Sequence, residues 1–138
     1  MSRTGNDNEQ TSPKTLDEFT RGYIDAMFFC DAGPDSDVSE DKGFYDLAPE
    51  TLQKIKDDCI SFQADDHIIG ILNNHPSKSY NDAGIDFWLT RNGHGSGFWD
   101  GDWDVEGNEE DGAYLDQRTK TYGMINLYMG DDGSLYLM

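Results

Sequence analysis

Residues 85–100, IDFWLTRNGHGSGFWD, are the stretch on which the fold class turns. IDFWLT reads as a short strand, Asn92-Gly93 as a turn and GSGFWD as the returning strand. An Asn-Gly pair suits the positive φ angles of a tight hairpin turn, and Gly95 and Gly97 leave room for a longer loop or a bulge. A second hairpin is expected at the C-terminal end, where INLYM (125–129) and SLYLM (134–138) flank a turn at Asp131-Asp132-Gly133.

Upstream the apolar period changes from two to three or four. Leu16, Phe19, Tyr23, Met27 and Cys30 make one stripe, which predicts a helix over 16–30 with Thr15 as N-cap and Glu18 in capping-box spacing. Leu52, Ile55, Cys59 and Phe62 make another, and Pro49 sits well at the first position of that helix. HIIGIL (67–72) is a short apolar run, helical or extended, followed by a loop; residues 113–122 make a short helix ended by Gly123. The expected whole is an α+β fold, with N-terminal helices packed on a small antiparallel sheet built from two β-hairpins. Residues 1–14 read as a flexible lead-in and 15–138 as a single acidic domain, with no secretory leader or membrane-spanning run in view.

Charge sets the first functional limit. Among 138 residues, 28 acids oppose 10 Lys and Arg, a formal charge of -18, while 12% aromatic content marks a chain that folds. A surface this negative repels phosphate backbones and anionic membranes, so neither direct nucleic-acid binding nor membrane association is expected. The acids concentrate in two segments, 31–50 and 99–116, and no Lys or Arg occurs between Arg91 and Arg118. The candidate partner-binding surface is therefore Asp35, Asp37, Glu40 and Asp41 with Asp100, Asp102, Asp104, Glu106, Glu109, Glu110 and Asp111, and Trp99 and Trp103 are its candidate exposed aromatic anchors. Such a surface can occupy the Lys and Arg patches of a nucleic-acid-processing protein in the manner of a DNA mimic. The competing reading is adaptation to salt or simple solubility, which spreads carboxylates evenly instead of clustering them.

Catalytic motifs are weak. His67, His75 and His94 form no zinc pattern, and RNGHGSG lacks the length and terminal Lys-Ser/Thr of a phosphate-binding loop. Asp100, Asp102, Asp104 and Glu106 alternate like the start of a calcium loop, but the central glycine is absent and Asp111 stands where a bidentate Glu belongs. Asp86 beside Phe87 and Trp88 is not distinguishable from a strand-end acid, and Cys30 and Cys59 read as buried, reduced thiols. No catalytic residue, metal or cofactor is assigned, and the chain reads as non-enzymatic. An alternative site is a pocket around Trp88, Arg91, His94 and Trp99 that takes a small ligand or an assembly partner.

LDEFTRGYIDAMFF (16–29), DLAPETLQKIKDDCISFQ (46–63), AGIDFWLTRNGHGSGFWD (83–100) and YMGDDGSLY (128–136) together resemble a widespread family of small acidic proteins of tailed bacteriophages, with Ile85 where the family usually carries His. The resemblance covers most of the chain and brings no activity with it. It implies a phage accessory protein working in the cytoplasm of the infected bacterium. Small acidic phage proteins of other families include nucleic-acid mimics that block host defence or transcription, which extends the mimic reading to a basic host or phage partner only by analogy.

Overall fold

The computed structural model describes residues 12–33, 36–75, 77–93, 97–98, 103 and 110–138. Among the described residues five α-helices precede one hairpin: α1 (Glu18–Asp31), α2 (Pro49–Gln63), α3 (Asp66–Asn73), α4 (Tyr80–Arg91), α5 (Asp111–Lys120), β1 (Leu127–Met129) and β2 (Leu135–Leu137).

The expected first hairpin is overturned, because residues 80–91 are helical and the described residues hold a single two-stranded sheet. Local chemistry starts the helix at Ser79. Its hydroxyl accepts from the Asp82 amide at 3.0 Å while the Asp82 carboxylate accepts from the Ser79 amide at 3.0 Å, a capping box that satisfies two otherwise orphaned donors. The buried set Ala83, Gly84, Phe87, Trp88, Thr90 and Arg91 follows helical spacing, and adjacent burial of Phe87 and Trp88 conflicts with one-sided strand alternation. Asn92-Gly93 serves the helix instead of a turn between strands. Asn92 is the C-cap and Gly93 follows at φ 70°, so the left-handed tolerance that suits a hairpin here ends a helix.

Tertiary packing holds α4 in place, since α1 and α4 form the most extensive helix pair. A Cβ on Gly22 would lie 2.1 Å from the Asn81 carbonyl oxygen, and one on Gly84 would lie 1.9 Å from that of Phe19. The two backbones touch through these glycines. Around that contact Phe19, Tyr23, Phe62, Phe87, Trp88 and Phe98 are buried, with the Phe62 and Phe87 rings stacked at 4.4 Å. Fully burying one such ring contributes about 1.5–3 kcal/mol relative to exposure.

The other helices follow their periods with small shifts. Asp17, not Thr15, caps α1 by accepting from the Thr20 amide at 2.8 Å; Thr15 ends a preceding 3-10 turn. The α2 stripe of Leu52, Ile55, Cys59 and Phe62 is buried as expected. HIIGIL resolves into α3, whose N-cap Asp65 accepts from the His67 and Ile68 amides. The C-terminal hairpin forms in the register Leu127↔Leu137, Tyr128↔Tyr136 and Met129↔Leu135, with Gly133 at φ 83° in its turn. It docks on the start of α2, where the Leu135 carbonyl accepts from the Ala48 amide and the Thr51 hydroxyl. No helix among the described residues is long and apolar enough to cross a membrane.

Candidate functional site

Of the pocket expected around Trp88, Arg91, His94 and Trp99, the two described residues, Trp88 and Arg91, are buried. Arg91 sits on the last turn of α4 and is 4% exposed. Its Nε donates to the Gly123 carbonyl at 2.7 Å, and Nη2 donates to that of Tyr122 at 3.1 Å. Nη1 donates to Asp58 at 2.8 Å and to the Tyr23 hydroxyl at 3.1 Å. Each guanidinium nitrogen is thus engaged inside the chain, so Arg91 ties α4 to α1, α2 and the segment after α5. Trp88 is wholly buried with its ring edge-on to Tyr23, and burial raises the pKa of Tyr23, favouring its neutral hydroxyl. The Trp88 indole N–H has no oxygen acceptor among the described residues and lies near the Cys30 thiol.

Trp103 is also corrected. It is 1% exposed, and its Nε1 donates to Asp86 at 2.6 Å, so it is not an exposed anchor. The indole packs edge-on to Phe98, under the Lys78 ammonium and beside the His75 ring at 5.1 Å. His75, unassigned from sequence, is 4% exposed with Nδ1 2.7 Å from the Ile71 carbonyl. The carbonyl can only accept, so Nδ1 carries a proton, and Nε2 is buried with no hydrogen-bond partner among the described residues. Ring contacts run from Trp88 through Tyr23, Phe87, Phe62 and Phe98 to Trp103 and His75. Trp88, Arg91, Trp103 and His75 therefore belong to one buried aromatic and charged cluster, a firm wall for a binding site.

The concave surface next to that wall is a groove of about 470 Å³ lined by Asp66, His67, Gly70, Ile71, Asn73 and Asn74 of α3 and its C-cap, with Asp111 of α5 opposite. Its helical residues fall on one turn-to-turn face, while Ile68, Ile71 and Leu72 are buried. Ile71 lines the groove and offers its carbonyl to His75, which joins the groove to the cluster. Two contacts set the opposite wall. The Tyr114 hydroxyl donates to Asp65 at 2.9 Å, and the Tyr114 ring lies 4.0 Å from that of His67. Desolvation opposes the Asp65 carboxylate, but the Tyr114 hydroxyl, the α3 amides and Arg118 outweigh it and hold its pKa below the ordinary value. No Lys or Arg lines the groove, and Asp66 and Asp111 have no cation partner among the described residues.

Of the expected acidic surface, Asp37, Glu40, Asp41 and Glu110 are exposed and Asp111 is half-buried. Asp37 lines a different groove, with Cys30, Asp31 and Tyr128. Asp35, Asp100, Asp102, Asp104, Glu106, Glu109, Trp99 and His94 lie outside the described residues. Burial pushes the Cys30 and Cys59 thiols up, away from nucleophilic thiolate. Among the described residues no three His, Cys, Asp or Glu side chains converge as a metal site. The signal for the α3 groove was present in HIIGIL and its flanks: Asp66, Gly70, Asn73 and Asn74 recur at helical steps opposite an apolar face. Compared with family models, curated proteins and solved structures, the chain matches none.

Proposed function

We propose that the chain is a non-enzymatic binding protein that takes a ligand or an assembly partner in the groove between α3 and α5. The carrying observation is the groove itself, a concavity of about 470 Å³ lined by carboxylates, carboxamides and an imidazole and joined to the buried His75 through the Ile71 carbonyl. The groove keeps the ligand-or-partner reading but is a different site from the one expected around Trp88, Arg91, His94 and Trp99, since Trp88 and Arg91 are buried and do not line it. With the phage resemblance, the proposal is of an accessory protein working in the cytoplasm of an infected bacterium.

Asn74 is exposed and caps α3, so Asn74→Arg fills the groove without touching core. Purified wild-type and Asn74→Arg chains, matched by circular dichroism, are used to retain proteins and small molecules from bacterial lysate. Binding at the groove requires that a specifically retained species be lost by the variant. Equal retention by both chains refutes the site.

A second reading rests on the charge of -18 and the segment 92–117 without Lys or Arg: an acidic face that occupies a basic nucleic-acid-processing protein as a DNA mimic does. A partner released by added salt and displaced by duplex DNA favours it, whereas one indifferent to both is bound by the groove alone.

A further inference from the structure

We infer that the groove receives an arginine side chain from a basic segment of a partner protein, and that Gly70 is bare so that this segment can lie against α3. The inference rests on the groove being the binding site and names what it binds.

Gly70 occupies the middle of α3 and is exposed. A glycine there weakens a helix relative to alanine, because the unfolded backbone loses more freedom and no side chain shields the turn. Two other helix glycines have an internal reason, since a Cβ on Gly22 or Gly84 would strike neighbouring backbone within 2.1 Å. Gly70 has no such reason. A Cβ built on it meets nothing within 4 Å, and its φ is not in the left-handed region. Its missing side chain instead opens the floor of the groove between Asp66 and Asn74.

Chemistry selects the occupant. Asp66 and Asp111 line the same concavity with no Lys or Arg on its walls among the described residues, so the complementary group is a cation. A planar guanidinium has several donors in a fixed fork and can bond more than one carboxylate, which a single ammonium does less well. Asn73 extends the match to a peptide. Its side-chain carbonyl already accepts from the Tyr80 hydroxyl at 2.6 Å, so its amide NH₂ remains a donor for a main-chain carbonyl.

The test titrates the full chain with an arginine peptide blocked at both ends, read by backbone amide shifts, alongside the matching lysine peptide and Gly70→Ala. Saturable shifts confined to residues 66–74 and 111, stronger for arginine than lysine, are expected. Gly70→Ala should weaken that binding roughly tenfold while raising the folding equilibrium constant roughly two- to fivefold. Gain of stability with loss of binding separates a ligand-facing glycine from a structural one. Unchanged affinity in Gly70→Ala, or shifts scattered over the acidic surface without saturation, overturns the inference. If the arginine peptide fails but Asn74→Arg still loses its lysate species, the groove stands and the arginine assignment falls; if Asn74→Arg loses nothing, both fall.

Discussion

Replacing Arg91 by methionine tests the central tie of the fold. The substitution keeps an unbranched stem and removes the guanidinium, whose side chain is 2% exposed. Deleting one partner of a buried ion pair costs about 3–5 kcal/mol, because the other charge is stranded. Two features move the value in opposite directions. Asp58 is 15% exposed and keeps Lys54 at 3.1 Å, so its stranded charge is partly compensated. The Tyr122 and Gly123 carbonyls lose their guanidinium donors, but Gly123 is exposed and Tyr122 half-buried, so water replaces much of that bonding and the two together add only about 1 kcal/mol. The net expectation is about 4 kcal/mol. With a urea slope of about 1.5 kcal/mol/M, the unfolding midpoint falls by about 2.7 M. Urea titration followed by tryptophan fluorescence measures it, and Arg91→Lys, which restores charge but not the forked geometry, should recover part of the loss. A loss below about 1 kcal/mol for Arg91→Met would refute the assignment of Arg91 as the tie.

Gly84→Ala forces its new Cβ against the Phe19 carbonyl oxygen at a nominal 1.9 Å, so α1 and α4 must separate. A fall in Tm of roughly 5–15 °C is expected by calorimetry, and an unchanged Tm would mean that the helices do not meet there. Asp65 provides the pH dependence. Its folded pKa is depressed, so its contribution is present above the unfolded pKa and is lost as pH falls through the lower folded value. Urea midpoints of wild type and Asp65→Asn should therefore differ at neutral pH and converge as pH drops below about 4; a gap that persists in acid would contradict the α3–α5 clasp.

The elements that sequence made legible are those whose information is local. Pro49 and the run Leu52, Ile55, Cys59 and Phe62 specify α2 without help from elsewhere, because an apolar stripe of helical period needs only some partner to cover it. The C-terminal hairpin is similar, since Gly133 supplies the positive φ that joins two short apolar strands.

Residues 80–91 show where locality ends. IDFWLT is short enough to satisfy either period, and Asn92-Gly93 serves a helix C-cap as well as a turn. What decides for helix is the Ser79–Asp82 capping box, together with Gly22 and Gly84 meeting across two backbones. The cap was readable. The glycine contact was not, because Gly84 acquires its meaning only beside the Phe19 carbonyl.

The candidate site divides in the same way. Sequence by itself determined an acidic chain, two amphipathic helices and a closing hairpin, all consequences of composition and of side chains within a turn or two, whereas HIIGIL was left open between helix and strand. Tertiary structure alone decided that Arg91 is a buried tie, through Asp58 33 residues away and two carbonyls beyond α5. It also buried Trp103 against His75 and set Asp111 across from Asp66. A side chain's charge and size are properties of its residue, but whether it meets water, a partner or the core depends on what the rest of the chain brings to it.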